Sequence, residues 1–295
     1  MKTKSIIMAA VTLLCLSCSK QVETPDSEPT ATVSVHVSDF TVALSDLSGA
    51  GTRATEAPAD YDFVGELVLA FYDADGKEVY KTSQSKSSTA TDANFGEFSF
   101  QLPVGNYTMV AIGRDVGNND AFSLTSPVQA AYTSERVRET FSAVQPVVIA
   151  STAAVSLNVT LNRVVTKLVV ESTDNQPAGV AKIRTTYGAG SKGFNPTSGL
   201  ALDNMGFTLT NSVNANPGTT LAIKNFAFLA ADEQEIDITL EVLDEKGGVL
   251  SKRVIPNVPF RRNRQTTLRG QLFSSKGTNT FHLETTWLPG FEVNF

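Results

Sequence analysis

The stretch Val155-Ser156-Leu157-Asn158-Val159-Thr160-Leu161-Asn162-Arg163-Val164-Val165-Thr166-Lys167-Leu168-Val169-Val170-Glu171 carries the reading on which the fold depends. Leu157, Val159 and Leu161 alternate with polar residues, the period-two pattern of a strand with one buried face. Near Arg163 the phase changes. A strand that turns over midway can leave one sheet packing and enter another, so the spacing places a domain boundary near Asn162. Residues 31–162 and 163–295 are then two domains of ordinary size.

The same alternation extends in both directions. Upstream, Val33, Val35 and Val37 alternate with Ser34, His36 and Ser38, and after a shift at Asp39 the pattern resumes with Phe40, Val42 and Leu44. One bent or bulged strand is expected there. A polar, Gly-rich break follows from Ser48 to Glu56 and reads as an exposed loop ending near Pro58. Strands are then expected at Val64–Tyr72, Val79–Thr82, Gly96–Leu102, Tyr107–Ile112 and Val144–Ile149, with Asp75-Gly76 turning the first pair. Ala121–Phe141 is the one segment that reads as a candidate helix. Downstream, strands are expected at Lys167–Glu171, Ala181–Tyr187, Leu221–Leu229, Ile236–Leu243, Val249–Ile255, Gln265–Phe273 and Phe281–Trp287, with Lys246-Gly247-Gly248 closing a hairpin. Many short strands separated by Gly, Asn and Pro turns predict an all-β chain of two antiparallel β-sandwich domains.

The N-terminus has its own pattern. Lys2 and Lys4, the apolar run Ile6–Leu16 and small Ser17 before Cys18 form a secretory signal over residues 1–17. Leu16-Ser17-Cys18 resembles a bacterial lipobox, in which the cysteine thiol is lipidated and becomes the new N-terminus; Cys15, preceded by bulky Leu14, fits that role less well. Residues 18–30 are polar and contain Pro25 and Pro29, the composition of a flexible tether between lipid and domain. Both cysteines of the chain, Cys15 and Cys18, lie at or before the cleavage point, so the mature domains are expected to lack disulfides and thiolate metal sites. The formal net charge of −6 disfavours nucleic acid as a partner.

Catalytic and metal patterns are poor. The two histidines, His36 and His282, fall in the first and last expected strands and assemble neither a metal site nor a Ser-His-Asp arrangement. Asp73-Ala74-Asp75-Gly76 starts like a calcium-binding loop, but Gln84 stands where a bidentate glutamate is needed, so it reads as a turn. Asp60, Asp62 and Glu66 are the carboxylates an acid–base pair would draw on, with nothing in the pattern to separate them from solvated charges. No nucleotide-binding fingerprint or nucleophile elbow is present. Neither a cofactor nor enzymatic activity is expected.

Several motifs together resemble the fimbrillins of Bacteroidales, the FimA-type and Mfa-like pilin lipoproteins. They are the lipobox at Cys18, Gly51-Thr52-Arg53-Ala54-Thr55-Glu56 in the first long loop, Leu102-Pro103-Val104-Gly105-Asn106-Tyr107, Leu161-Asn162-Arg163-Val164-Val165-Thr166-Lys167-Leu168 at the domain joint, and Val258-Pro259-Phe260-Arg261-Arg262-Asn263-Arg264-Gln265-Thr266-Thr267-Leu268-Arg269-Gly270 before a late strand.

The resemblance implies two transthyretin-like domains and a subunit of a surface fimbria on the outer membrane, held there by lipid on Cys18 until processed. It implies cleavage at Arg53-Ala54 by an arginine-specific protease. Loss of the strand bearing Val33, Val35, Val37 and Phe40 would follow, and a strand of a neighbouring subunit would take its place. The donor it implies is the apolar C-terminal stretch containing Phe281, Leu283, Trp287 and Phe291, or the new N-terminus. Partners are then other fimbrial subunits and host or bacterial surface ligands. An anchor subunit that keeps its lipid, and a surface glycan-binding lipoprotein, are the alternatives the same residues leave open.

Overall fold

The structure, a computed structural model, describes residues 28–43, 53–56, 64–86, 94–117, 120–214, 216–274 and 282–287. Every regular element among them is a strand, so the chain is all-β. The first ten are β1 (Thr30–Ala43), β2 (Arg53–Glu56), β3 (Glu66–Tyr72), β4 (Glu78–Ser85), β5 (Glu97–Pro103), β6 (Gly105–Arg114), β7 (Phe122–Ser126), β8 (Gln129–Tyr132), β9 (Thr140–Ile149) and β10 (Val155–Arg163). The second ten are β11 (Thr166–Ser172), β12 (Lys182–Tyr187), β13 (Gly193–Asn195), β14 (Leu200–Ala201), β15 (Phe207–Ser212), β16 (Ala222–Ala227), β17 (Glu233–Leu243), β18 (Val249–Arg261), β19 (Arg264–Gly270) and β20 (His282–Trp287).

Two sandwiches share one topology. In the first, β5-β1-β10 packs over β4-β3-β6-β9, and the two layers join where Asn162 and Arg163 pair with Ser142 and Phe141. In the second, β16-β11-β19 packs over β15-β12-β17-β18. Taken in chain order, the first, fourth and seventh of these strands make one layer in each sandwich. The core follows from the period-two patterns: Val33, Val35, Leu69, Phe71, Met109 and Leu161 belong to one buried cluster, Leu168, Val170, Ile183, Leu240, Val258 and Leu268 to another.

The sheets are mixed, where pure antiparallel pairing was expected. β1 runs parallel to β10, and β11 runs parallel to β19. The reason is topological: the first and seventh of these strands are neighbours running the same way in each sandwich, and the strands between them serve as their long crossover connection.

The segment Ala121–Phe141, read as a candidate helix, forms the hairpin β7–β8 instead. Ala130 and Ala131 of β8 pair with Phe194 and Gly193 of β13, so β14-β13-β8-β7 is a small sheet contributed by both halves of the chain. Strand pairing with a distant segment outweighs the modest helix preference of two alanines. A third buried cluster forms here, with Val68, Tyr72, Ile112 and Tyr132 from one side and Phe194 and Phe228 from the other; the last two rings stack at 4.4 Å.

The turns behave as their sequences indicate. Asp73 Oδ1 accepts hydrogen bonds from the amides of Asp75 and Lys77, with Gly76 at φ 77°, so the calcium-loop-like start is a hairpin turn. Asp244 repeats the device at the β17–β18 hairpin, accepting from Lys246 and Gly248 with Gly247 at φ 84°. A short Asp side chain bonding back to the following amides, with Gly supplying positive φ, specifies this turn locally.

Candidate strand-exchange site

β1 is an interior strand built on an alternating sequence. Ala31, Val33 and Val35 have no exposed surface and Val37 is 1% exposed, while Thr32, Ser34 and His36 face solvent. Along one edge β1 pairs with β10, from Val33 opposite Val155 to Thr41 opposite Asn162. Along the other, Thr30–His36 pair antiparallel with β5 and Phe40–Ala43 pair with β2. The expected bulge is present: the register shifts between Val37 and Asp39, where the outer partner changes from β5 to β2. The side chains of His36 and Glu97 hydrogen-bond on the solvent face of the β1–β5 ladder.

This arrangement concentrates much energy in one strand. Three fully buried valines at ~1.5–3 kcal/mol each amount to roughly 5–9 kcal/mol, before either ladder is counted. The groove that holds them is lined by side chains of both layers, including Phe98 and Leu102 of β5, Val159 and Leu161 of β10, and Leu67 and Met109.

The other site residues fall as follows. Arg53 and Ala54, expected in an open loop, lie in β2, where Arg53 pairs with Ala43 and Ala54 with Val42. Phe40 pairs with Leu161 on one side and Glu56 on the other. Leu283 and Trp287 belong to β20, which pairs antiparallel with β19, Leu283 opposite Leu268 and Trp287 opposite Arg264. Cys18, Phe281 and Phe291 lie outside the described residues. Arg53-Ala54 is therefore one pairing step from β1, and β20 stands at the far end of the other sandwich's sheet.

Sequence reasoning missed the clamp that fixes the chain between β19 and β20. Asp174, which no sequence motif singles out, accepts hydrogen bonds from the amides of Leu272, Phe273 and Ser274 at 2.8, 2.9 and 2.7 Å, and from the Ser274 hydroxyl at 2.8 Å. The Ser251 hydroxyl donates to Leu272 O at 2.8 Å, and the Arg253 guanidinium bonds the carbonyls of Gln271 and Ser274. Burial alone would raise the Asp174 pKa, but the bonds from Leu272, Ser274 and Phe273 outweigh it and hold the carboxyl below its usual range. A lowered pKa means stabilisation that is complete above the unfolded value of about 3.9 and lost as pH falls through the folded one. Hydrogen exchange at Leu272–Ser274 is expected to accelerate in Asp174→Asn relative to wild type at pH 7, for a cost of about 1–3 kcal/mol. Unchanged protection would show that the clamp does not hold this segment.

The motifs at the joint also acquire a structural role. Arg163 is wholly buried; its Nη2 lies 2.7 Å from Glu139 Oε1, its Nη1 donates to Asn263 Oδ1 at 2.8 Å, and its guanidinium sits 4.9 Å from the Phe141 ring centroid. Asn263, at φ 57°, donates its amide to Val165 O, and the Thr166 hydroxyl donates to Arg264 O. The two sequence motifs, about a hundred residues apart, meet here. At the Leu102–Tyr107 motif the Tyr107 hydroxyl donates back to Pro103 O at 2.9 Å, locking the β5–β6 turn.

Comparison with known proteins places this geometry. A family model described as a family of unknown function, DUF6562, matches residues 29–289. No curated protein matches the chain. Among solved structures, a candidate adhesin of Bacteroides ovatus aligns with TM-score 0.55 at 11% identity, over 90% of this chain and 98% of that one. A candidate polysaccharide-binding protein of Bacteroides thetaiotaomicron aligns with TM-score 0.50 at 11% identity, over 82% and 91%. The fimbrial anchor protein Mfa2 of Porphyromonas gingivalis aligns with TM-score 0.48 at 12% identity, over 89% and 100%. At such identities the likeness is one of fold.

Proposed function

The chain belongs to the DUF6562 family of unknown function, and from that premise we propose that it is a structural or adhesive subunit of a bacterial surface fimbria. Its two-sandwich fold is shared with the Bacteroides ovatus candidate adhesin over nearly the whole of both chains. The observation that carries the proposal is β1: a strand whose apolar residues from Ala31 to Val37 are buried between two ladders.

In this reading residues 31–162 and 163–295 are its two folding units, and lipid on Cys18 tethers the precursor to the outer membrane through residues 18–30. Cleavage at Arg53-Ala54 releases β1 as a separate peptide. The vacated groove then offers two strand edges and a row of apolar sockets, and a neighbouring subunit's C-terminal strand, carrying Leu283 and Trp287 with Phe281 and Phe291 beside it, fills them. The physics is β-augmentation, in which ladder hydrogen bonds supply affinity and alternate side chains supply register. An edge left empty would be prone to aggregation, which drives replacement once β1 is lost.

The test compares wild type with Arg53→Ala by mass spectrometry of the surface-released protein and by a size assay. A wild-type N-terminus at Ala54 with polymers that the variant cannot form is the expected result. If both proteins keep a lipidated Cys18 and stay monomeric, strand exchange is excluded and an anchor or a glycan-binding lipoprotein takes its place.

A further inference from the structure

The two sandwiches carry the same seven strands in the same order, so β10 and β19 hold equivalent places: each is the seventh strand, running parallel to the first. Their outer edges are treated differently. In the second sandwich β20 pairs antiparallel along β19 from Arg264 to Arg269, and Leu268, opposite Leu283, has no exposed surface. The connection between β19 and β20 seals that side: Leu272 is buried in the second core, and Ser251 and Arg253 of β18 bond the backbone carbonyls of Leu272 and Gln271. In the first sandwich the outer edge of β10 meets a described strand only at Asn162 and Arg163, and the connection from β9, residues 150–154, is exposed throughout. The stretch from Val155 to Asn158 is left open among the described residues, and Leu157 is only partly buried against the first core.

This edge lacks the devices that keep strands from pairing with other molecules, which are charges, prolines and bulges. From Val155 to Asn162 the chain alternates Val and Leu with Ser, Asn and Thr. The whole run from Thr140 to Asn162 contains no charged residue, although charged residues make up 18% of the chain. Edge strands elsewhere are guarded: β4 by Glu78 and Lys81, β5 by Glu97, β16 by Lys224, and β18 by Lys252, Pro256 and Pro259.

The second sandwich shows what such an edge takes, an antiparallel strand. β10 runs directly on through Val164 and Val165 into β11, so no strand follows it that could fold back as β20 does. A second copy of the chain matches the edge in charge. With a formal net charge of −6, two copies repel over most of their surfaces, whereas β10 against β10 brings no charge to the contact. It sets Ser, Asn and Thr side chains beside one another across the ladder, and antiparallel self-pairing closes under a two-fold axis. We infer that the outer edge of β10 is a dimer surface, on which two copies of this chain pair antiparallel, β10 to β10, and cover each other's Leu157. β1 occupies the opposite edge of β10, so the dimer does not depend on strand exchange.

The test is sedimentation velocity of the chain beginning at Ser19, which keeps every described residue, in an Arg53→Ala background so that loss of β1 cannot produce the association. The expected result is a reversible monomer–dimer equilibrium between roughly 1 and 100 μM, the range that suits a small interface. Ser156 and Asn158 face solvent, so Ser156→Lys/Asn158→Lys should leave the melting temperature unchanged and weaken the dimer at least about tenfold, because like charges then meet across the pair. Ser156→Glu/Asn158→Glu should do the same. An equimolar mixture of the two variants should recover the dimer, since opposite charges now face each other. A protein that stays monomeric over this range, or charged variants that dimerise like the parent, would overturn the inference. So would folded variants that remain monomeric when mixed, because β10 would then be meeting a different strand.

Discussion

Replacing Arg163 with leucine is expected to cost about 3–5 kcal/mol of stability, because it takes the buried guanidinium away from Glu139, which lies at the joint with only 12% of its side chain exposed. The guanidinium also bonds Asn263 and lies against the ring of Phe141, so the substitution unties β10 from the β18–β19 turn as well. The cost belongs to a carboxylate that keeps its burial and loses its guanidinium, more than to the loss of an attractive pair. The double variant Arg163→Leu/Glu139→Leu should therefore recover a large part of it, since an apolar replacement of a buried ion pair is often close to neutral. Denaturant unfolding of the wild type, both single variants and the double variant measures this as a coupling energy. Additive single effects would show that the pair does not act as a unit.

A second large effect is expected from Val35→Asp. Val35 has no exposed surface and pairs with Leu157 on one side and Phe98 on the other, in the middle of the first core. A carboxylate there would sit in the apolar cluster of the first core, and burying it costs roughly 4 kcal/mol or more. The group takes up a proton instead, so its folded pKa rises and the destabilisation is greatest above the usual carboxylate range, easing as pH falls. Ser34→Asp, one residue away on the solvent face, should change stability by about 0.5 kcal/mol or less. The pair also probes strand exchange. A polymer of subunits beginning at Ala54 contains no residue 35, so Val35→Asp should destabilise the precursor and leave the polymer's stability unchanged. Equal loss in precursor and polymer would show that β1 stays in the assembled protein.

Most of the strands were legible because their evidence is local. Val33, Val35 and Val37 announce β1 by alternation alone, and the phase shift at Asp39 announces its bulge. The hairpins at Gly76 and Gly247 follow from an Asp bonding its own turn. Resemblance to the Bacteroidales fimbrillins was carried by short motifs, and the structure shows two of them, around Arg163 and Asn263, holding each other. Less was legible where partners are remote. Arg53–Glu56 read as a loop because four polar and small residues carry no period, yet β1 offers them an edge and they pair with it. Asp174 carried no signal in the sequence because its four hydrogen-bond donors lie about a hundred residues away.

By itself the sequence determined the all-β class, the positions of most strands and turns, and the buried face of strands such as β1 and β10, since side-chain alternation and turn chemistry act over a few residues. Only the tertiary structure decided which strands are neighbours. It set β1 parallel to β10 and β11 parallel to β19, drew Ala121–Phe141 into a sheet shared with β13, and brought β20 to the outer edge of β19. Backbone hydrogen bonds are chemically alike at every residue, so a strand's pattern says which face it buries and not which partner it takes. Partner choice is settled when whole layers pack and their cores fill together.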